Sequence, residues 1–185
     1  NSDIYFYDVE TGEITNFTEG MMGYDKNPVF SPDGKFMAWE SMERDGYESD
    51  KNRLFVANLE TDEKTNYSKG FDQNAHSLSW SNDGASIFFI SNIHATDEIF
   101  KLQLADGNIT RLTDGIHNYQ TVEQAGDQLM AQRVSMSHPA DLYKVNPSSG
   151  EAENLTQVNN ELLGEITMGN VEERWMETTD GKQMH

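Results

Sequence analysis

The chain has 185 residues, of which 36% are hydrophobic, 10% aromatic and 24% charged, a balance that can bury a core and differs from that of a disordered chain. Its 13 Lys and Arg against 32 Asp and Glu give a net charge of −19; such a surface repels phosphate, which argues against nucleic acid as a partner, and leaves room for an acidic field that draws cationic ligands such as peptide amines. Cysteine is absent, which excludes disulfides and thiolate metal sites, and no apolar run approaches the ~18 residues that a membrane span requires.

Taken in chain order, the first element is Ile4-Tyr5-Phe6-Tyr7-Asp8-Val9-Glu10-Thr11-Gly12-Glu13-Ile14-Thr15-Asn16-Phe17-Thr18. Aromatic and β-branched residues fill its arms and Thr11-Gly12 supplies turn chemistry, so a β-hairpin is predicted. The second is Asn27-Pro28-Val29-Phe30-Ser31-Pro32-Asp33-Gly34-Lys35-Phe36-Met37-Ala38-Trp39, two apolar strands around a tight turn. Pro32 fixes φ there, and Gly34 tolerates positive φ. Both units then recur. The first returns at 54–68, 99–113 and 142–156, and the second at 78–90 and, degraded, at 121–131. The hydroxyls that close the first unit, Thr18, Ser68, Thr113 and Thr156, are 50, 45 and 43 residues apart.

Two hairpins per period make four strands in about 45 residues, the unit length of a β-propeller blade. The expected fold is all-β: a partial β-propeller of about three and a half four-stranded antiparallel blades, occupying 1–158. Its parts are a half blade at 1–18 and whole blades at 24–68, 73–113 and 117–156. Apolar groups on both faces of the first arms, Tyr5, Tyr7 and Val9 against Ile4 and Phe6 in the first copy, predict strands buried on both sides. Weak helical character is confined to 159–165, where Gly164 interrupts it. Blades that do not close a ring leave apolar faces and sheet edges open, which predicts self-association.

Ser31-Pro32-Asp33-Gly34 followed by Phe36-Met37-Ala38-Trp39, together with the hairpin from Leu54 to Ser68, resembles the WD40-like repeat of TolB-type propellers. The same repeat builds the propeller of prolyl oligopeptidase family serine peptidases. The resemblance covers nearly the whole chain to Thr156, although the full Ser-Pro-Asp-Gly occurs once and Asn82 replaces the proline in the second copy. Beyond Thr156 the period breaks. Val171-Glu172-Glu173-Arg174-Trp175-Met176-Glu177-Thr178-Thr179-Asp180-Gly181-Lys182-Gln183-Met184-His185 is similar to the linker and first hairpin of the α/β-hydrolase domain in that peptidase family, most of all in its bacterial dipeptidyl and acylaminoacyl peptidase branch. The expectation is that 159–185 open a C-terminal α/β-hydrolase domain that the chain only begins. Trp175 would pack between propeller and hydrolase.

No Gly-x-Ser-x-Gly pentapeptide occurs in the sequence, so no catalytic residue is assigned and these residues alone are expected to be inactive. The resemblance implies a propeller that gates and helps to bind short peptide substrates in a periplasmic or secreted serine exopeptidase. The alternative reading is a TolB-like periplasmic propeller that binds proteins without catalysis. A third, a propeller lyase on acidic sugars, conflicts with the charge of −19 and needs histidines gathered at the axis. Dipeptidyl peptidases of the family hold the substrate amine with acidic propeller residues, and carboxylates suit an ammonium. The long loop from Glu40 to Lys51 carries Glu43, Asp45 and Glu48, with Tyr47 as a wall. These four are the candidate amine-recognition residues, on position and chemistry, since the family's paired-glutamate motif is not matched. The competing reading is a solvated loop with local pairs such as Glu43–Arg44 or Asp50–Lys51.

Neither metal nor cofactor is expected. His76 and His117 precede the first strands of successive blades and are read as repeat residues in turn hydrogen bonds; His94, His138 and His185 complete the set. Four Asn-x-Ser/Thr sequons, at Asn16, Asn66, Asn108 and Asn154, fit glycosylation, but three share one repeat position, which points to a structural cause. Trp39 and Trp80 are read as inter-blade core.

Overall fold

The computed structural model describes residues 1–185. Strands β1 (Tyr5–Tyr7) and β2 (Ile14–Asn16) form a two-stranded hairpin. A four-stranded antiparallel sheet follows, built in chain order from β3 (Asp25–Phe30), β4 (Phe36–Ser41), β5 (Arg53–Asn58) and β6 (Glu63–Asn66). The next comprises β7 (His76–Trp80), β8 (Ser86–Ile93), β9 (Thr96–Gln103) and β10 (Asn108–Arg111); the last comprises β11 (Asn118–Ala125), β12 (Gln128–Ser135), β13 (His138–Val145) and β14 (Ala152–Asn154). One parallel bridge, Asp97 to Asn118, links these two sheets. Strand β3 lies against β7, and β7 against β11, so the first strands of successive sheets converge on one side. This is a partial β-propeller of three whole blades and a half blade.

Each repeated motif has a local physical cause. In the inner turn the Ser31 hydroxyl donates to Asp33 Oδ1 at 2.6 Å and accepts the Phe36 N–H at 2.9 Å, while Asp33 Oδ1 accepts the Lys35 N–H at 3.1 Å. Ser81 and Asp83 repeat the arrangement at 2.6, 2.9 and 3.0 Å. Gly34 and Gly84, at φ +71° and +68°, take the left-handed position that such turns require. Asn82, where the first copy has Pro32, donates its amide to Gly126 O in the next blade's turn at 2.6 Å.

The closing hydroxyls are equally regular. Thr18, Ser68, Thr113 and Thr156 each accept the N–H that opens the outer hairpin, from Ile4, Leu54, Ile99 and Leu142, at 2.8–3.0 Å. These bonds satisfy donors that no ladder reaches.

The core lies between blades. Trp39, Met37 and Ala57 pack against Ile4 and Phe17 of the half blade. Ala38, Leu54 and Val56, from the opposite face of the same sheet, meet Ile87, Phe89 and Leu102 of the next. Phe88, Ile90 and Ile99 then face Tyr119, Val122 and Leu129 of the last. Strand β8 is thus apolar on both faces because both are covered. The half blade departs from that expectation: Ile4 is buried, but Tyr5 and Tyr7 are 57% and 62% exposed, since no sheet among the 185 residues lies on their side.

After β14 come a five-residue helix, α1 (Asn160–Gly164), and a short antiparallel hairpin of β15 (Met176–Glu177) and β16 (Gln183–Met184). Gly164 ends the helix it was expected to interrupt. Because strands alternate in direction, the inner turns and outer hairpin turns share one face of the propeller. The connections within and between blades, 42–52, 67–75, 94–95, 112–117 and 136–137, share the other, which we call the loop face. The tail leans on that face, with the Trp175 ring edge-on to His94 at 5.0 Å.

Candidate functional site

The long connection between β4 and β5 rises from the loop face on a fixed base. Met42 is buried and its N–H donates to Tyr24 O at 2.9 Å. The Arg53 guanidinium donates to Ser41 O and Met42 O at 3.2 and 2.9 Å. Gly23 sits so close that a Cβ would fall 2.6 Å from Met42 O, at φ +95°.

The tip is tied to itself. Arg44 places its guanidinium on the Asp50 carboxylate, donates its N–H to Asp50 Oδ2 at 2.9 Å, and lies 3.9 Å over the Tyr47 ring. Arg44 beside it holds the Asp50 carboxyl below the usual range. The local pairs are therefore Arg44–Asp50 rather than Glu43–Arg44 or Asp50–Lys51; Lys51 donates to the carbonyls of Ser68 and Phe71 instead.

The four candidate amine-recognition residues do not converge. Glu43, Asp45, Tyr47 and Glu48 are all exposed. Asp45 accepts the Asn1 amino group at 2.8 Å. Glu48 alone lines a cleft, of about 720 Å³, between the first two whole blades. Its other walls include Lys26, Asp50, Asn52, Asn74, His76 and Asp97. Sequence reasoning passed over Lys26, Asn74 and Asp97. A signal was present for one of them: Asp97 holds the repeat position of Asn52, and the N–H groups of Asn52 and Asp97 donate to Asn74 Oδ1 and Asn118 Oδ1 at 2.8 and 2.9 Å. One asparagine thus staples each of the last two blades to its predecessor.

A second cleft on this face is lined by His94, Arg111, His117, Met136 and the tail residues Glu173 and His185, among others. Beneath it Glu98 is fully buried, receives the Thr113 hydroxyl at 2.5 Å, and has Arg111 at 3.3 Å. Burial raises the Glu98 pKa. His117 stands 3.8 Å from Glu98, edge-on to Tyr119, and burial lowers its pKa to about 4. Asp141 and Thr156 repeat the carboxylate–hydroxyl bond in the last blade at 2.7 Å, with His138 at 3.5 Å. A cluster that recurs with the repeat serves the scaffold. The reading of His117 as a turn hydrogen-bond residue does not hold, because its Nε2 is buried without a partner. No group of His, Asp and Glu side chains is arranged to hold a metal ion, and no helix is long and apolar enough to cross a membrane.

The sequons divide as well. Asn16, Asn66 and Asn154 each accept the N–H of the hydroxyl residue two positions on, at 3.1 Å. Asn108 and Thr110 are exposed on the outermost strand β10.

Comparison with known proteins agrees with this architecture. The dipeptidyl-peptidase 5 proteins of Porphyromonas gingivalis and Porphyromonas endodontalis are 45% and 47% identical over 184 residues, which cover the whole of this chain. The chain spans 27% of the length of these curated relatives. The acylaminoacyl peptidase of Pyrococcus horikoshii superposes with a TM-score of 0.75 at 17% identity, over 98% of this chain and 26% of that one; at that identity the likeness is one of fold. The family described as TolB beta propeller domain matches residues 1–164, and with its Ser-x-Asp-Gly turns, closing hydroxyls and inter-blade core the chain belongs to that family.

Proposed function

We propose that the chain is the non-catalytic propeller portion of a serine exopeptidase of dipeptidyl or acylaminoacyl type, whose loop face gates and helps to bind short peptides. The observation that carries this reading is identity of 45% and 47% to two dipeptidyl-peptidase 5 proteins across the entire chain. The tail supports it: 171–185 reach the loop face, the side that also bears the acidic loop, so a hydrolase domain following the tail would cover that loop. In this reading the protein is exported, to the periplasm or outside the cell. Glu48, which lines the cleft, holds the substrate ammonium through a charge-assisted hydrogen bond, and Glu43 and Asp45, exposed on the same loop, add to the acidic field that draws it. Tyr47, one face of which Arg44 covers, forms a wall.

The test is hydrolysis by the whole polypeptide that carries this segment. Dipeptidyl arylamides with a free amine should be cleaved, a serine-directed fluorophosphonate should stop the reaction, and Glu48→Gln should raise KM about tenfold for the free-amine substrate, the loss expected of one charge-assisted contact. Failure to cleave both dipeptidyl and N-acyl-aminoacyl substrates would overturn the reading. The non-catalytic TolB-like alternative rests on the repeat alone, which both classes share.

A further inference from the structure

We infer that the cleft between the first two whole blades also captures the free C-terminal carboxylate of a short peptide, with Lys26 as the anchoring cation; this rests on the peptide-binding reading above. In a chain with 13 basic residues and a charge of −19, an uncommitted cation on a cleft wall is unusual. Of the other basic residues, Arg44, Lys64, Arg111, Lys144, Arg174 and Lys182 are in ion pairs, and Lys51 and Arg53 are held by backbone carbonyls. Lys26 lines the cleft and forms no ion pair.

The reason lies in its neighbours. The residue opposite it across the ladder is Glu40, the natural partner for a lysine. Glu40 is buried, 3% exposed, and its two carboxylate oxygens accept the side-chain amides of Asn27 at 3.0 Å and Asn52 at 3.3 Å. Asn27 reaches it from a β-bulge between Lys26 and Val29, at φ +53°. Bulges of this kind re-aim side chains. The oxygens of Glu40 are thereby committed to neutral amides and form no ion pair with Lys26, which leaves the ammonium without a direct partner on its own sheet.

Other donors stand beside it. His76, at the Lys26 position of the next blade, lines the same cleft and also precedes a bulge, at Ser77 with φ +53°. Asn74 spends its Oδ1 on the Asn52 N–H, which leaves its amide N–H groups for a ligand. An ammonium, an amide and an imidazole suit the two oxygens of a carboxylate. Among the cleft's carboxylates Asp50 is taken by Arg44 and Asp97 by the Asn92 amide, while Glu48 forms no ion pair. Lys26 and Glu48 are thus the oppositely charged groups of the cleft whose side chains have no hydrogen-bond or ion-pair partner, the complement of a short zwitterionic peptide.

The test is binding and turnover by the whole polypeptide with tripeptides and tetrapeptides as free acids and as C-terminal amides. Calorimetry with tripeptides whose scissile amide is reduced gives the ratio of acid to amide affinity without hydrolysis; kcat/KM on the intact pairs gives it with hydrolysis. The acid should be favoured about tenfold, the worth of one charge-assisted contact at a partly solvated site. Lys26→Met should bring the ratio to one and Lys26→Arg should retain most of it. A wild-type ratio of one, or a ratio unchanged in Lys26→Met, would overturn the inference even if dipeptidyl hydrolysis is robust. A Lys26-dependent acid preference without hydrolysis of any substrate would sustain the cleft and remove the peptidase reading instead. Because the readout is a ratio within each variant, loss of folded protein does not imitate either result.

Discussion

At the scale of single residues, the closing hydroxyl is the most repeated device in the chain. The Ser68 hydroxyl is buried and accepts the N–H of fully buried Leu54 at 2.8 Å. Removing it strands a buried donor, which costs about 1–3 kcal/mol. Ser68→Ala should therefore lower stability by that amount in chemical denaturation, whereas Ser68→Thr should cost less, since Thr occupies the position in three of four copies. The same device separates the sequons. Only Asn108 combines exposure with a side chain free of the turn bond that holds Asn16, Asn66 and Asn154. Expressed through a eukaryotic secretory pathway, the chain should carry glycan at Asn108 and lose it in Asn108→Gln; peptide mass spectrometry showing occupancy at Asn66 would contradict this. His117 gives the pH dependence. Its pKa is about 4 in the fold against an ordinary 6.5, so between those values the unfolded chain binds more protons and stability falls as pH falls through that window. Glu98, raised by burial, acts with the opposite sign: what it contributes when protonated is lost as pH rises through its folded pKa. His117→Phe, which keeps an aromatic ring beside Tyr119, should remove roughly 1–3 kcal/mol of the loss between pH 7 and pH 4, read from melting curves at stepped pH.

At the scale of elements, the loop from Met42 to Asn52 has a rigid base and a self-tied tip. Gly23→Ala should disturb the base, because its Cβ would meet Met42 O at 2.6 Å in a left-handed backbone; a loss of more than about 2 kcal/mol is expected. Arg44→Ala should cost less, about 1 kcal/mol: the Arg44 side of the pair is 58% exposed and contributes little, but the Asp50 carboxylate, 8% exposed, loses its partner; amide exchange across 43–49 should rise. Equal exchange in wild type and variant would show that the Arg44–Asp50–Tyr47 arrangement does not order the tip. The hairpins were legible in the sequence because each turn announces itself: Ser31-Pro32-Asp33-Gly34 can close few structures other than a tight turn, and its return at Ser81 fixes the period. The cleft was not legible. It is assembled from Lys26, Glu48, Asn74 and Asp97, which come from different blades, and its charge depends on Asn27 turning toward Glu40 at a bulge that no local pattern marks. The β8–β9 turn was also hidden, because His94 and Ala95 adopt positive φ, +47° and +61°, without a glycine or asparagine to signal it. Glu43 and Asp45 stood out by charge alone, and charge alone left them at the exposed tip.

At the scale of the whole molecule, the stack of sheets has two uncovered ends. On the half blade Tyr7 pairs with Ile14 across the hairpin, and these side chains are 62% and 65% exposed, with Tyr5 at 57%. On the last blade Leu142 and Leu155 are each 46% exposed. In the interior the corresponding faces are covered and hold residues such as Phe89 and Ile90 at 0%. The same strand chemistry is thus buried in the middle and open at both ends. Contiguous apolar surface of this kind associates, whereas a charge of −19 on every copy opposes association over a distance set by ionic strength. The two effects make opposite demands on salt. The 185-residue chain should be more associated at 0.5 M than at 0.02 M sodium chloride at equal concentration, and Tyr7→Lys with Ile14→Glu should reduce association at both. Light scattering coupled to size exclusion reads this directly. A monomer at high salt and high concentration would show that the open faces do not associate, and an oligomer unaffected by the paired substitution would place the contact elsewhere. In a longer chain whose further blades cover these faces, the salt dependence should vanish, because the surface that drives it is then interior.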